Sequence, residues 1–175
     1  YEAESTLQQI IALEPTVLNH RLRQAAFYDQ QQQDDKAEAV LKEANRVDPE
    51  NETRRLALVE YVAKRRGLAQ AETALMEAHK DLPRSAKLWF AVGGLYESIQ
   101  RADKARETYR AIQQEYQKKP EGLEAQVKLA GLDWIAGKTD DAERQIQEVL
   151  KENPRSTDAL LLRGKIALQR GNGKD

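Results

Sequence analysis

The chain has 175 residues, 40% of them hydrophobic and 33% charged, a length for which one domain is the default and a composition suited to a thin fold with much surface per residue. Its 28 Lys and Arg nearly cancel its 29 Asp and Glu, for a net charge of −1, so no global field draws nucleic acid or an anionic membrane. With no Cys, disulfides, thiolate nucleophiles and Cys-based zinc sites are excluded.

Helix formers dominate: Ala, Leu, Glu, Gln, Lys and Arg lose little rotamer freedom in a helix. In chain order, residues 1–17 predict one helix, with Ala3 and Leu7 on one face and Pro15 beyond it. Residues 18–51 predict two helices, the first carrying Ala25 and Tyr28, the second Ala37, Leu41 and Ala44 before Pro49. In 52–85 the first helix is marked by Leu56, Leu58, Val59 and Val62, and a polar turn is expected at Lys64-Arg65-Arg66-Gly67. Ala71, Ala74, Leu75 and Ala78 then repeat at the i, i+3, i+4, i+7 spacing of one helix face, ahead of Pro83. Residues 86–122 place Trp89, Val92, Gly93 and Tyr96 on a first helix and Ala105 and Tyr109 on a second. IQQEYQKK, 112–119, holds three extra residues before Pro120, which would lengthen that second helix by almost a turn or be absorbed at the surface. Residues 123–156 carry Leu129 and Ala130, then Ala142 and Ile146 before Pro154; 157–175 offer one further helix, TDALLLRGKIALQRG. Asn51, Ser85 and Ser156 follow prolines, where a side-chain oxygen can cap the next helix.

The prolines are a ruler. They stand 34, 34, 37 and 34 residues apart, and proline costs about 3 kcal/mol inside a helix, so a regular proline marks a regular helix boundary. Self-similarity at such a period is the signature of stacked repeats. The period and the residues above resemble the tetratricopeptide repeat family; 86–122 matches best, through Trp89, Val92, Gly93, Tyr96, Ala105 and Tyr109. The resemblance implies an all-α fold: a right-handed α-solenoid of antiparallel helix pairs, about ten helices. It also implies one array over 1–175. Residues 1–17 are the second helix of a preceding repeat, 18–51, 52–85, 86–122 and 123–156 are four full repeats, and 157–175 are the first helix of another. An array cut in this way is expected to be part of a longer protein and to self-associate through its open ends.

No chemistry is written into the motifs. His20 and His79 fall at unrelated places, and no HExxH, GxSxG, P-loop or GxGxxG occurs. Asp34-Asp35 and Asp140-Asp141 open second helices, where carboxylates favour the positive end of the dipole. Lys64, Arg65, Arg66, Arg101, Lys138 and Arg170 close first helices beside them. No enzyme, cofactor or metal is therefore expected. Nucleic acid is not expected either, because a basic stripe is lacking and the period is 34 rather than the 35 of RNA-reading pentatricopeptide repeats. No apolar run approaches the roughly 18 residues a membrane span needs, and no signal peptide is visible. Repeat style resembles bacterial arrays, including those of the cell envelope; cytoplasm and periplasm are both compatible, with the envelope favoured.

The resemblance puts a partner in the concave groove lined by first helices. A chaperone-tail carboxylate clamp is not reproduced: Leu22, Ala26, Ala57, Lys87 and Ala91 stand at its places counted from the first repeat, and Leu56, Glu60, Ala91, Glu124 and Lys128 counted from the second. Instead the fifth residues of successive repeats form an apolar stripe, Leu22, Leu56, Phe90, Val127 and Leu161, joined by Trp134 and flanked by Arg23, Glu60, Glu97 and Lys128. Such a stripe suits a peptide or amphipathic helix of a partner protein. The expectation is a non-catalytic scaffold; the alternative is a structural spacer or assembly segment within a longer protein. Asp133, where the family prefers a buried Tyr, calls for a hydrogen-bonding partner between helices.

Overall fold

The computed structural model describes residues 2–171. Tyr1 and 172–175, the outer ends of the expected array, lie outside the described residues. Ten helices follow one another: α1 Glu2–Leu13, α2 Leu18–Gln30, α3 Asp34–Val47, α4 Glu52–Arg66, α5 Leu68–Asp81, α6 Ala86–Ser98, α7 Ala102–Tyr116, α8 Pro120–Ile135, α9 Thr139–Glu152 and α10 Thr157–Gly171. The fold is all-α and built of helix pairs, as the period predicts. The chain forms two compact units, Tyr1–Leu88 and Trp89–Asp175.

In unit 1, α1 packs on α2, α2 on α3, α3 on α4 and α4 on α5. The contacts are made by small residues. Ala37 and Ala71 are fully buried, with Leu41, Ala44, Leu75 and Ala78 one and two turns along the same helices. Helix axes come within 8–10 Å only where side chains are small, which explains alanine at the crossing. Asn51 Oδ1 accepts the Thr53 and Arg54 amides at 3.1 and 3.3 Å, and Ser85 Oγ accepts the Leu88 amide at 3.1 Å. In unit 2, α8 packs on α7, α9 and α10, and α9 on α10. Val127, Ala130, Ala142, Ile146, Val149, Ala159, Leu162 and Ile166 form its core. Ser156 Oγ caps α10 through the Ala159 amide at 3.4 Å.

Three of the turns inside pairs share one design. Gln32, Gln100 and Gly137 stand at positive φ (57°, 59° and 78°) just beyond a first helix. The next amides, Gln33, Arg101 and Lys138, donate back five residues to Tyr28, Tyr96 and Asp133 carbonyls at 2.9, 2.8 and 2.9 Å, the bond of a Schellman ending. The second repeat differs. Lys64, Arg65 and Arg66 were expected in the turn but belong to α4, and Gly67 alone reverses the chain at φ 95°, ψ 174°. Its amide reaches the Val62 carbonyl at 3.2 Å.

The three extra residues are placed differently from the expected lengthening of a second helix. α7 has 15 residues against 14 in α3, α5 and α9. The insertion goes mainly to the front of α8, where Pro120 is the first helical residue rather than a marker beyond a helix end. Proline is suited to that position, because the amide it lacks has no helical partner there. The return is tight: Gln117 has φ 49°, and a Cβ on buried Gly122 would lie 2.0 Å from the Gln117 carbonyl oxygen.

Candidate functional site

The fifth residues of the first two repeats meet in unit 1. Leu22 of α2 is 37% exposed, and with Leu56 of α4 it floors a cleft of about 480 Å³. Ala26 and Ala57 open a furrow beside them, Glu60 lines one side, and Thr53 and Lys87 lie at the start of α4 and of α6. Successive first helices present these side chains because each second helix, α3 and α5, spends its apolar face on the interior. Arg23 is exposed and does not line the cleft.

Charge at one end is internally balanced. Asp29 accepts from Arg65 Nε at 2.5 Å and from Lys64 Nζ at 3.2 Å; burial raises its pKa, but these cations outweigh it and hold the carboxyl below its ordinary value. Arg66 pairs with Asp35 and, at 3.3 Å, with Glu38. Burial first, then Asp34 and Asp29, push the Tyr61 phenol up to about 12. Lys87 Nζ donates to Thr53 Oγ1 at 3.0 Å. Among the described residues neither Lys87 nor Glu60 forms an ion pair.

Unit 2 treats its share of the stripe otherwise. Val127 is 7% exposed and belongs to the core. Phe90 leans on Tyr109, ring centroids 6.1 Å apart. The Tyr109 hydroxyl donates to Glu97; burial, then that bond, raises the phenol pKa. Trp134 is half-buried against the core and donates from Nε1 to Gln169 Oε1 at 2.5 Å. Lys128 is exposed beside Glu124, whose pKa burial raises and Lys128 opposes. Leu161 is 57% exposed. Asp133, 8% exposed, accepts from Arg106 Nη1 and Gln145 Nε2, each at 2.7 Å, the inter-helix pairing its burial demands. A second cleft in unit 2, of about 600 Å³, is edged by Gln, Lys and Glu side chains and bridged by Lys118–Glu152 at 2.7 Å and Gln126–Glu148 at 2.8 Å.

Of the expected stripe, then, Leu22, Leu56 and Glu60 share one cleft, and Val127 faces inward. In the sequence Ala26, Ala57 and Lys87 enter only through the comparison with a clamp, where Lys87 fills a lysine place and the two alanines match nothing; what the stripe lacks is the second residue of each repeat, Thr53 and Lys87, which also lines the cleft. Among the described residues no group of three or more His, Cys, Asp or Glu could hold a metal ion, and no helix is long and apolar enough to cross a membrane.

The tetratricopeptide repeat family model matches residues 56–120 and 128–175. Among solved structures, a tetratricopeptide repeat protein from Parabacteroides merdae ATCC 43184 aligns with a TM-score of 0.63 at 21% identity, over 88% of this chain and 60% of that one. The pilF protein of Pseudomonas aeruginosa aligns with a TM-score of 0.60 at 17% identity, over 88% of this chain and 69% of that one. The chain thus spans 60% of the length of the first of these structures, and at such identities the likeness is one of fold. No curated protein matches the sequence.

Proposed function

The chain belongs to the tetratricopeptide repeat family, and from that premise we propose that it holds a peptide or helical segment of a partner protein against the exposed face of its first helices, without catalysing a reaction on it. Members of the family are in general protein-interaction scaffolds. The observation that carries the finer reading is the cleft of unit 1, which is lined by exposed Leu22 and half-buried Leu56. Apolar side chains left at the surface in a furrow of alanines cost the free protein hydration energy, and a partner's apolar side chains would recover it. Phe90, Glu97, Lys128, Trp134 and Leu161 extend the reading to unit 2.

The test is a displayed library of helical peptides selected on the native protein and assayed again on the double variant Leu22→Ser with Leu56→Ser. Loss of about two apolar contacts of 1.5–3 kcal/mol each predicts at least a tenfold weaker capture by a variant whose melting temperature is close to that of the native chain. Equal capture by native and variant protein contradicts the proposal. The spacer alternative predicts that the native protein enriches no peptide at all.

A further inference from the structure

The cleft of unit 1 is lined by four charged side chains, Asp29, Glu60, Lys64 and Lys87; Lys64 pairs with Asp29, and the fold does not account for the other two. Lys87 is the second residue of α6, where the helix dipole disfavours a cation, and its ammonium donates to the Thr53 hydroxyl at 3.0 Å. Glu60 stands one turn before Lys64, the arrangement in which a helical Glu and Lys attract each other, yet Lys64 reaches to Asp29 instead. Among the described residues, therefore, neither Lys87 nor Glu60 has an ion-pair partner in the cleft.

Their spacing is set by α4. The Lys87 ammonium sits at Thr53, and Glu60 is seven residues further along the same helix, about 10.5 Å at the helical rise. Leu56 and Ala57 lie between them. A helical ligand repeats its face every 5.4 Å, so two turns, roughly 10.8 Å, bridge the charges. An extended ligand repeats its face about every 6.7 Å and meets that spacing with neither one repeat nor two.

We infer that the cleft selects a partner helix bearing an acidic and a basic side chain two turns apart on one face, with apolar anchors between them: the acid goes to Lys87, the base to Glu60, and the anchors to Leu22 and Leu56. The inference rests on the reading of the cleft as a protein-binding surface, and the experiment separates the two. Four alanine-based helical peptides carry the same two Leu anchors and, at the flanking positions, Glu and Lys, Gln and Gln, Lys and Lys, or Glu and Glu. Binding is measured by fluorescence anisotropy at low and high salt. The Glu/Lys peptide is expected to bind roughly tenfold tighter than Gln/Gln through its two exposed pairs, with the gap narrowing at high salt. Lys87→Glu is expected to transfer the preference to Lys/Lys, and Glu60→Lys to Glu/Glu. Equal binding of all four by the native protein overturns the charge inference while leaving an apolar groove. Binding of none of them overturns both.

Discussion

Both units repeat the same helix pair, yet Leu22 and Leu56 of unit 1 are placed differently from Phe90 and Val127 of unit 2, while Leu161 of α10, 57% exposed, sides with unit 1. Unit 1 leaves Leu22 and Leu56 in an open cleft, whereas unit 2 folds Val127 into its core and leans Phe90 on Tyr109. The difference accompanies a second one inside. Unit 1 buries Arg21, Gln24 and Arg54; at the places of Gln24 and Arg54, unit 2 buries Leu129 and the alanines Ala125 and Ala159. Arg54, only 3% exposed, is a polar bracket: it donates to the Thr16 carbonyl and, at 3.0 Å, to that of Ala44, with Asp48 at 3.5 Å. A repeat held by such a bracket can spare apolar side chains for its surface.

The comparison can be broken most sharply at Arg54. Arg54→Ala strands two carbonyls and removes a buried charge, and is expected to cost about 3 kcal/mol, read from the urea midpoint. Amide exchange should accelerate in α2 to α4 and leave α8 and α9 protected; uniform loss of protection would contradict a bracket local to unit 1. In unit 2 the matching test is Gly93→Ala, whose Cβ would lie 2.4 Å from Tyr109 Cε1. Overpacking of this kind costs about 1–3 kcal/mol, and Tyr109→Leu, the residue type of Leu41 and Leu75, should recover part of it in a double-mutant cycle. No recovery would mean that ring and glycine are not a matched pair.

Smaller effects sharpen the comparison of turns. Gln32 and Gln100 hold the left-handed position that Gly137 holds in the fourth repeat. Gln32→Gly and Gln100→Gly should each stabilise by roughly 0.5–1 kcal/mol, since glycine meets no Cβ penalty there, and Gly137→Ala should lose a similar amount; calorimetry decides the sign. The response to alkali is a further check on the two units. Tyr28 is raised by its bond to Glu4 and then by burial, and Tyr61 and Tyr109 by burial first. Their protonated forms are favoured in the fold, so this stability is fully present below the unfolded value near 10 and is lost as pH rises through 10 toward about 12 for Tyr61. Ultraviolet titration should show these phenols ionising later than those of the urea-unfolded chain. Coincident titration curves would contradict their burial.

Much of the fold was legible because it rests on short-range rules. Alanine at the crossing, the capping residues Asn51, Ser85 and Ser156, and proline outside helices each act within a turn or two of chain. What misled was also local. Pro120 is proline in a different role, because Gly122 permits a return that the ruler could not register. Gly67 turns the chain in one residue, so the basic run before it stays helical. The site was less legible because exposure is decided between helices. Val127 and Leu22 are the same residue of their repeats, and only the neighbours, Ala130 and Ile146 for one and Ala26 and Ala57 for the other, determine which is covered.

The claim that unit 1 offers its first-helix face to a partner is most directly tested by methyl NMR of the leucines during titration with the Glu/Lys helical peptide. The account predicts saturable shifts of Leu22 and Leu56, with Leu41 and Leu75 of the interior little changed. Shifts confined to other leucines, with Leu22 and Leu56 unmoved at saturation, would contradict it.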